Sequence, residues 1–109
     1  MNSKKINIFL ILFCFSTMND IHAEEPSLDR QSELKHLLLH DCGSCHGMTL
    51  KGGLGPALTP DVLSNKSEEL LFQAINNGRP GTPMPPWKDI LSETDMQWLV
   101  ATLKKGLDQ

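Results

Sequence analysis

The residues best suited to chemistry in this 109-residue chain are five in a row, Cys42-Gly43-Ser44-Cys45-His46. Two thiols at this spacing could close a disulfide or act as a redox pair. The imidazole that follows them points elsewhere. On a turn of helix, Cys-x-x-Cys-His offers two sulfurs to the vinyl groups of one porphyrin and a ring nitrogen to its iron, which is the attachment signal for covalent haem c. A zinc site would need two further ligands, and only His36 and His40 lie nearby.

One axial position of the iron then remains, and its occupant separates an electron carrier from a ligand-binding haem. The candidates are Met48, Met84, Met96, His36 and His40. Met48 follows His46 by two residues and is confined to the same side of the porphyrin. Met96 falls inside a helix, where methionine is ordinary core filler. His36 and His40 are four apart, a spacing that can bind metal but that also suits an exposed helix face. Met84 sits in Gly81-Thr82-Pro83-Met84-Pro85-Pro86-Trp87, 38 residues beyond His46, which is enough chain to reach the opposite face. The prolines restrict their own φ and their predecessors' conformation, so little entropy is lost when the sulfur docks. Met84 is therefore the expected second ligand, and His46 with Met84 the expected metal pair. With both positions filled, no site is left for oxygen or peroxide, and one-electron transfer is the expected chemistry.

Three helices must position these groups. Leu28, Leu34, Leu37 and Leu38 follow helical spacing and predict a helix over 28–43 that runs into the attachment motif. Gly52, Gly53, Gly55 and Pro56 break regular structure over 47–60 and let backbone approach the haem closely. A second helix begins near Asn65 or Ser67, with Glu68 and Glu69 at its positive end, and stops at Asn77-Gly78 in a left-handed cap. Leu70, Leu71, Ala74 and Ile75 form its buried stripe. Residues 79–87 hold four of the seven prolines, at 80, 83, 85 and 86, and can be neither helix nor central strand. Ser92-Glu93-Thr94-Asp95 reads as a capping box opening a helix over 93–104, with Trp98, Leu99 and Leu103 inward and Gly106 ending it. No alternating strand pattern occurs, so the expected class is all-α.

Composition supports a cofactor-dependent fold. Lys4 and Lys5 precede an apolar run over 6–15, followed by polar residues and Ala23, the order of a secretory signal peptide. Ten residues, apolar but for Asn7, are too few to span a hydrocarbon core of about 30 Å as a helix. Cleavage after Ala23 removes 1–23, Cys14 included, and leaves one exported domain over 24–109. That segment has only Phe72, Trp87 and Trp98 as aromatics, a thin core for a chain whose backbone ordering costs about 1–2 kcal/mol per residue. A porphyrin supplies the missing apolar surface. Eight Lys and Arg against twelve Asp and Glu give the segment a net charge of −4, which excludes a nucleic-acid footprint, and no membrane anchor survives cleavage. Lys51, Arg79 and Lys88 lie in or beside the segments that should border the haem and are expected to form a local positive rim. Trp87 and Trp98 are read as core and haem-packing residues.

The motif, Gly55-Pro56-Ala57-Leu58, the methionine loop and the final helix together resemble the class I cytochromes c over about residues 32–105. The resemblance implies three main helices wrapped around one covalently bound haem. It also implies that the Pro56 carbonyl accepts a hydrogen bond from the second ring nitrogen of His46. The stretches from Asp41 to Gly47, Gly52 to Pro60 and Gly78 to Trp87 are similar to the small periplasmic cytochromes c-55X encoded with cytochrome cd1 nitrite reductase. That likeness implies an electron donor to the nitrite reductase or an electron carrier in maturation of its haem d1. Two other readings stay open: a general periplasmic shuttle to another terminal reductase, and a five-coordinate haem that senses a gas or reduces peroxide. The last requires that Met84 not ligate.

Overall fold

The computed structural model describes residues 24–107, so the expected leader at 1–23 lies outside the described residues. All regular elements among them are helical. Ser27 accepts a hydrogen bond from the Arg30 amide at 3.3 Å and starts α1 (Leu28–Leu37). A π-helical turn (Leu38–Cys42) follows without a break, its wider pitch marked by the Gly43 amide bonding to the Leu38 carbonyl, and α2 (Gly43–His46) completes the run. The helix expected over 28–43 thus continues through the whole attachment motif. It does so because an inserted π turn absorbs one extra residue.

A short α3 (Pro60–Leu63) was not expected from the pattern. Its signals are nevertheless present, with Thr59 in the capping position, Pro60 in the first turn and Asp61 behind it. Helix α4 (Glu68–Asn77) is capped by Ser67, not Asn65, through the Leu70 amide at 3.1 Å. It ends at Gly78 with φ 64° and ψ −169°, which is not the left-handed cap expected there. The extended ψ directs the chain into the proline strip instead of closing the helix. Helix α5 (Glu93–Lys105) has the complete capping box: Ser92 Oγ accepts from the Asp95 amide and the Asp95 carboxylate accepts from the Ser92 amide, both at 3.1 Å.

The core is a single buried cluster of Leu34, Leu38, Leu50, Leu63, Leu91, Met96, Leu99 and Leu103. Met96 is therefore core filler, as its helical position suggested. Trp98 and Trp87 pack half-buried against the cluster. Leu70 is the exception to the α4 stripe, because it is 48% exposed and faces out. The first and last helices are joined by a fork. Arg30 Nε donates to Asp95 Oδ1 at 3.2 Å and Arg30 Nη2 to Asp95 Oδ2 at 2.8 Å. These hydrogen bonds, and those from Ser92, hold the Asp95 carboxyl below the usual aspartate range. Lys104 Nζ donates to the Lys66 carbonyl at 2.6 Å and fixes the far end of α5 to the segment before α4.

Candidate haem site

The π turn and helices α2 to α5 leave a largely apolar cleft between them. One cavity of about 490 Å³ is walled by Leu38, Leu71, Ala74, Ile75, Leu99 and Leu103. A second, of about 350 Å³, opens outward past Leu54, Thr82, Pro83 and Pro85. The two share Cys42, His46, Pro56, Arg79, Met84 and Trp87, so they are chambers of one cleft. Cys45 lines the outer chamber. The residues singled out for chemistry, more than 40 positions apart at the extremes, are brought to one place.

The His46 ring is held from two directions. Its Nδ1 lies 2.6 Å from the Pro56 carbonyl oxygen. A carbonyl can only accept, so Nδ1 carries the proton and Nε2 is left with its lone pair free for a metal. Gly55 lies against the ring itself, for a Cβ built there would sit 2.8 Å from Nδ1 and Cε1. The loop behind is fastened by backbone bonds. Gly52 donates to the His46 carbonyl and Gly55 to the Cys45 carbonyl, both at 2.8 Å. Gly53 is equally tight, since its Cβ would meet the Cys45 carbonyl at 2.7 Å.

Cys42 and Cys45 are free thiols, both half-buried. Burial in the cleft wall, aided by the charge of Asp41, pushes the Cys42 thiol up to about 11. Among the described residues, no group of three or more His, Cys, Asp or Glu side chains gathers here as a zinc site would require. His36 and His40 do not line the cleft. They stand exposed with ring centroids 4.1 Å apart. Met48 is 59% exposed and is likewise absent from the cleft wall. Of the sulfur and nitrogen donors weighed for the second axial position, Met84 is the one that borders both chambers.

The expected cationic rim is only partly assembled. Arg79 borders both chambers, whereas Lys51 and Lys88 are exposed and outside the cleft wall. Lys66 lines the inner chamber instead. Nothing in its local pattern marked it, because its position depends on how α3 and α4 pack.

An apolar slot, two thiols in its wall and an imidazole with Nε2 available form a donor set that fits haem c. A family model described as cytochrome c oxidase, cbb3-type, subunit III matches residues 29–101. Cytochrome c55X of Pseudomonas aeruginosa is 58% identical over 83 residues, covering 76% of this chain and 70% of the relative. The chain belongs to the cytochrome c55X family. It is accordingly a class I c-type cytochrome, a small electron-transfer protein. Among solved structures, the c-type cytochrome NirC is 56% identical with a TM-score of 0.72, covering 73% of this chain and 94% of that one. Dihydro-haem d1 dehydrogenase NirN in complex with DHE is 32% identical with a TM-score of 0.62, over 69% of this chain but 16% of that one. The all-α cytochrome c fold implied by the class I cytochrome c resemblance is thus shared with both structures. No helix among the described residues is long and apolar enough to cross a membrane.

Proposed function

We propose that this cytochrome c55X relative is a periplasmic one-electron carrier holding one haem c, with Cys42 and Cys45 as thioether anchors and His46 and Met84 as axial ligands. The observation that carries this reading is that His46 and Met84 border both chambers of a single apolar cleft. Bound there, haem c supplies a one-electron Fe(III)/Fe(II) couple. The protein's residues do the rest. The Pro56 carbonyl fixes the His46 tautomer and ring direction. Met84 would hold the iron together with His46 and would keep oxygen or peroxide from it. Leu38, Leu71, Leu99 and Leu103 exclude water from the inner chamber. Lys66 and Arg79 would offer positive charge to the porphyrin carboxylates, and the opening past Leu54 and Pro83 would leave haem near solvent for exchange with a partner. A signal peptide over 1–23 delivers the domain of 24–109 to the periplasm.

For the partner, we place the carrier in service of cytochrome cd1 nitrite reductase or of haem d1 maturation. The likeness to NirC and to part of a dihydro-haem d1 dehydrogenase supports that setting. A dehydrogenation releases two electrons, which a one-electron carrier takes singly.

Visible spectroscopy of holoprotein from a strain competent in c-type maturation tests the ligation. The sulfur-to-iron band in the far red is expected in the oxidised wild type and in Met96→Leu, and is lost in Met84→Ala. Rapid binding of carbon monoxide by the reduced wild type would instead put a five-coordinate sensor or peroxidase in its place. Stopped-flow electron exchange with nitrite reductase and with dihydro-haem d1 dehydrogenase decides the partner. Exchange with neither would leave a general periplasmic shuttle.

A further inference from the structure

Gly78 is buried, although α4, which it follows, buries none of its own residues completely. Its φ of 64° with ψ of −169° falls in a region open essentially to glycine alone. The space beside it is also closed. A Cβ at this position would stand 2.6 Å from the Met84 carbonyl oxygen, 2.6 Å from the Pro85 carbonyl carbon and 2.7 Å from the Pro86 nitrogen. All three are backbone atoms, so no rotamer change relieves the clash. The strip is tied down on both sides of this contact. The Arg79 amide donates to the Met84 carbonyl at 3.2 Å, and the Trp87 amide to the Ile75 carbonyl at 3.0 Å. Gly81, in the same loop, is a natural contrast. It also has positive φ, at 80°, yet nothing lies within 4 Å of its would-be Cβ.

We infer that Gly78 is a positioning residue for Met84: its bare Cα is the seat on which the backbone of residues 84–86 rests, and it sets how far the thioether reaches into the cleft. The inference rests on the reading of Met84 as axial ligand. A side chain at 78 must lift the strip by roughly an ångström, and the rigid Pro83-Met84-Pro85-Pro86 segment carries the sulfur with it.

The experiment compares holoprotein with Gly78→Ala, Gly81→Ala and Met84→Ala, reading the far-red band and the affinity of the oxidised iron for imidazole. Gly78→Ala is expected to lose the band and to bind imidazole at least about tenfold more tightly than wild type, approaching Met84→Ala. Gly81→Ala, which tests backbone strain without contact, is expected to keep the band and to stay within about threefold. A Gly78→Ala protein with an intact band and unchanged affinity overturns the inference while leaving the ligation reading in place. Equal losses in Gly78→Ala and Gly81→Ala overturn it too, because strain alone would then be at work. A wild type without the band breaks the ligation reading itself and this inference with it. If Gly78→Ala does not accumulate, it is made in the Met84→Ala background. A smaller fall in melting temperature there than in the wild-type background supports the seat, and an equal fall assigns Gly78 to folding alone.

Discussion

The two loops that border the cleft are built from opposite materials. Behind His46, residues 47–58 are rich in glycine and fastened by hydrogen bonds: Gly52 to His46, Gly55 to Cys45, Leu58 to Leu50, and the ring itself to Pro56. Around Met84, Pro83, Pro85 and Pro86 have no amide protons to give. That loop keeps its shape through restricted φ and through a few hydrogen bonds: Thr82 to Arg79, Arg79 to the Met84 carbonyl, the Met84 amide to Thr82 Oγ1, and Trp87 to Ile75. The first arrangement bonds the His46 ring itself, whereas the second holds Met84 by its backbone alone. His46 is therefore held more firmly than Met84, and the Met84 side is where the cleft should yield first.

The largest break removes what both loops enclose. Replacing Cys42 and Cys45 together by Ala should abolish covalent haem, and the chain should then show no cooperative melting by circular dichroism, because the cleft walls lose their common filler. Next in size is Gly55→Ala, which drives a methyl into the His46 ring and should cost about 2–3 kcal/mol in denaturant unfolding. The His46 Nδ1 proton resonance should shift or broaden with it. An undisturbed resonance would show that the His46 loop is as yielding as the Met84 loop.

A smaller effect belongs to the frame shared by both loops. Asp95→Ala removes the capping box and the Arg30 fork and should cost about 1–2 kcal/mol, with the far-red band unchanged. The folded Asp95 carboxyl titrates below its unfolded value. Its contribution is thus complete above about pH 4 and fades as pH falls through the lower folded value. Acid melts should be steeper for wild type than for Asp95→Ala in that range. The smallest effect is Pro85→Ala, expected to loosen the Met84 loop by about 0.4–1 kcal/mol, read as a rise of about two- to fivefold in imidazole affinity. An effect on His46 instead would erase the contrast between the loops.

Much of the site is readable from residue types because it depends on local chemistry. Cys-x-x-Cys-His is one turn of backbone, Ser92 and Asp95 need only each other, and the proline strip limits its own shape. The Pro56 contact came from family likeness and is visible as a 2.6 Å hydrogen bond. What escaped depends on distant packing. Arg30 and Asp95 are 65 residues apart, and no periodicity pairs them. Lys66 reaches the cleft because α3 and α4 turn it there, while Leu70 shows that an apolar residue beside a stripe need not belong to it. The glycines at 55 and 78 were legible as chain breakers. Their service as contact surfaces appears only when the atoms across from them are known.

The π turn between α1 and α2 has a consequence for phase. In an α-helix, residues four apart drift by about 40° around the axis, so a line through Leu34 and Leu38 would carry Cys42 away from the same side. The wider turn over Leu38–Cys42 reverses that drift. Core leucines and Cys42 then follow one meridian of a single rod. The same residues wound as a regular α-helix would turn the cysteines away from the cleft, whereas loss of one residue between 38 and 42 would make the helix regular and keep their phase.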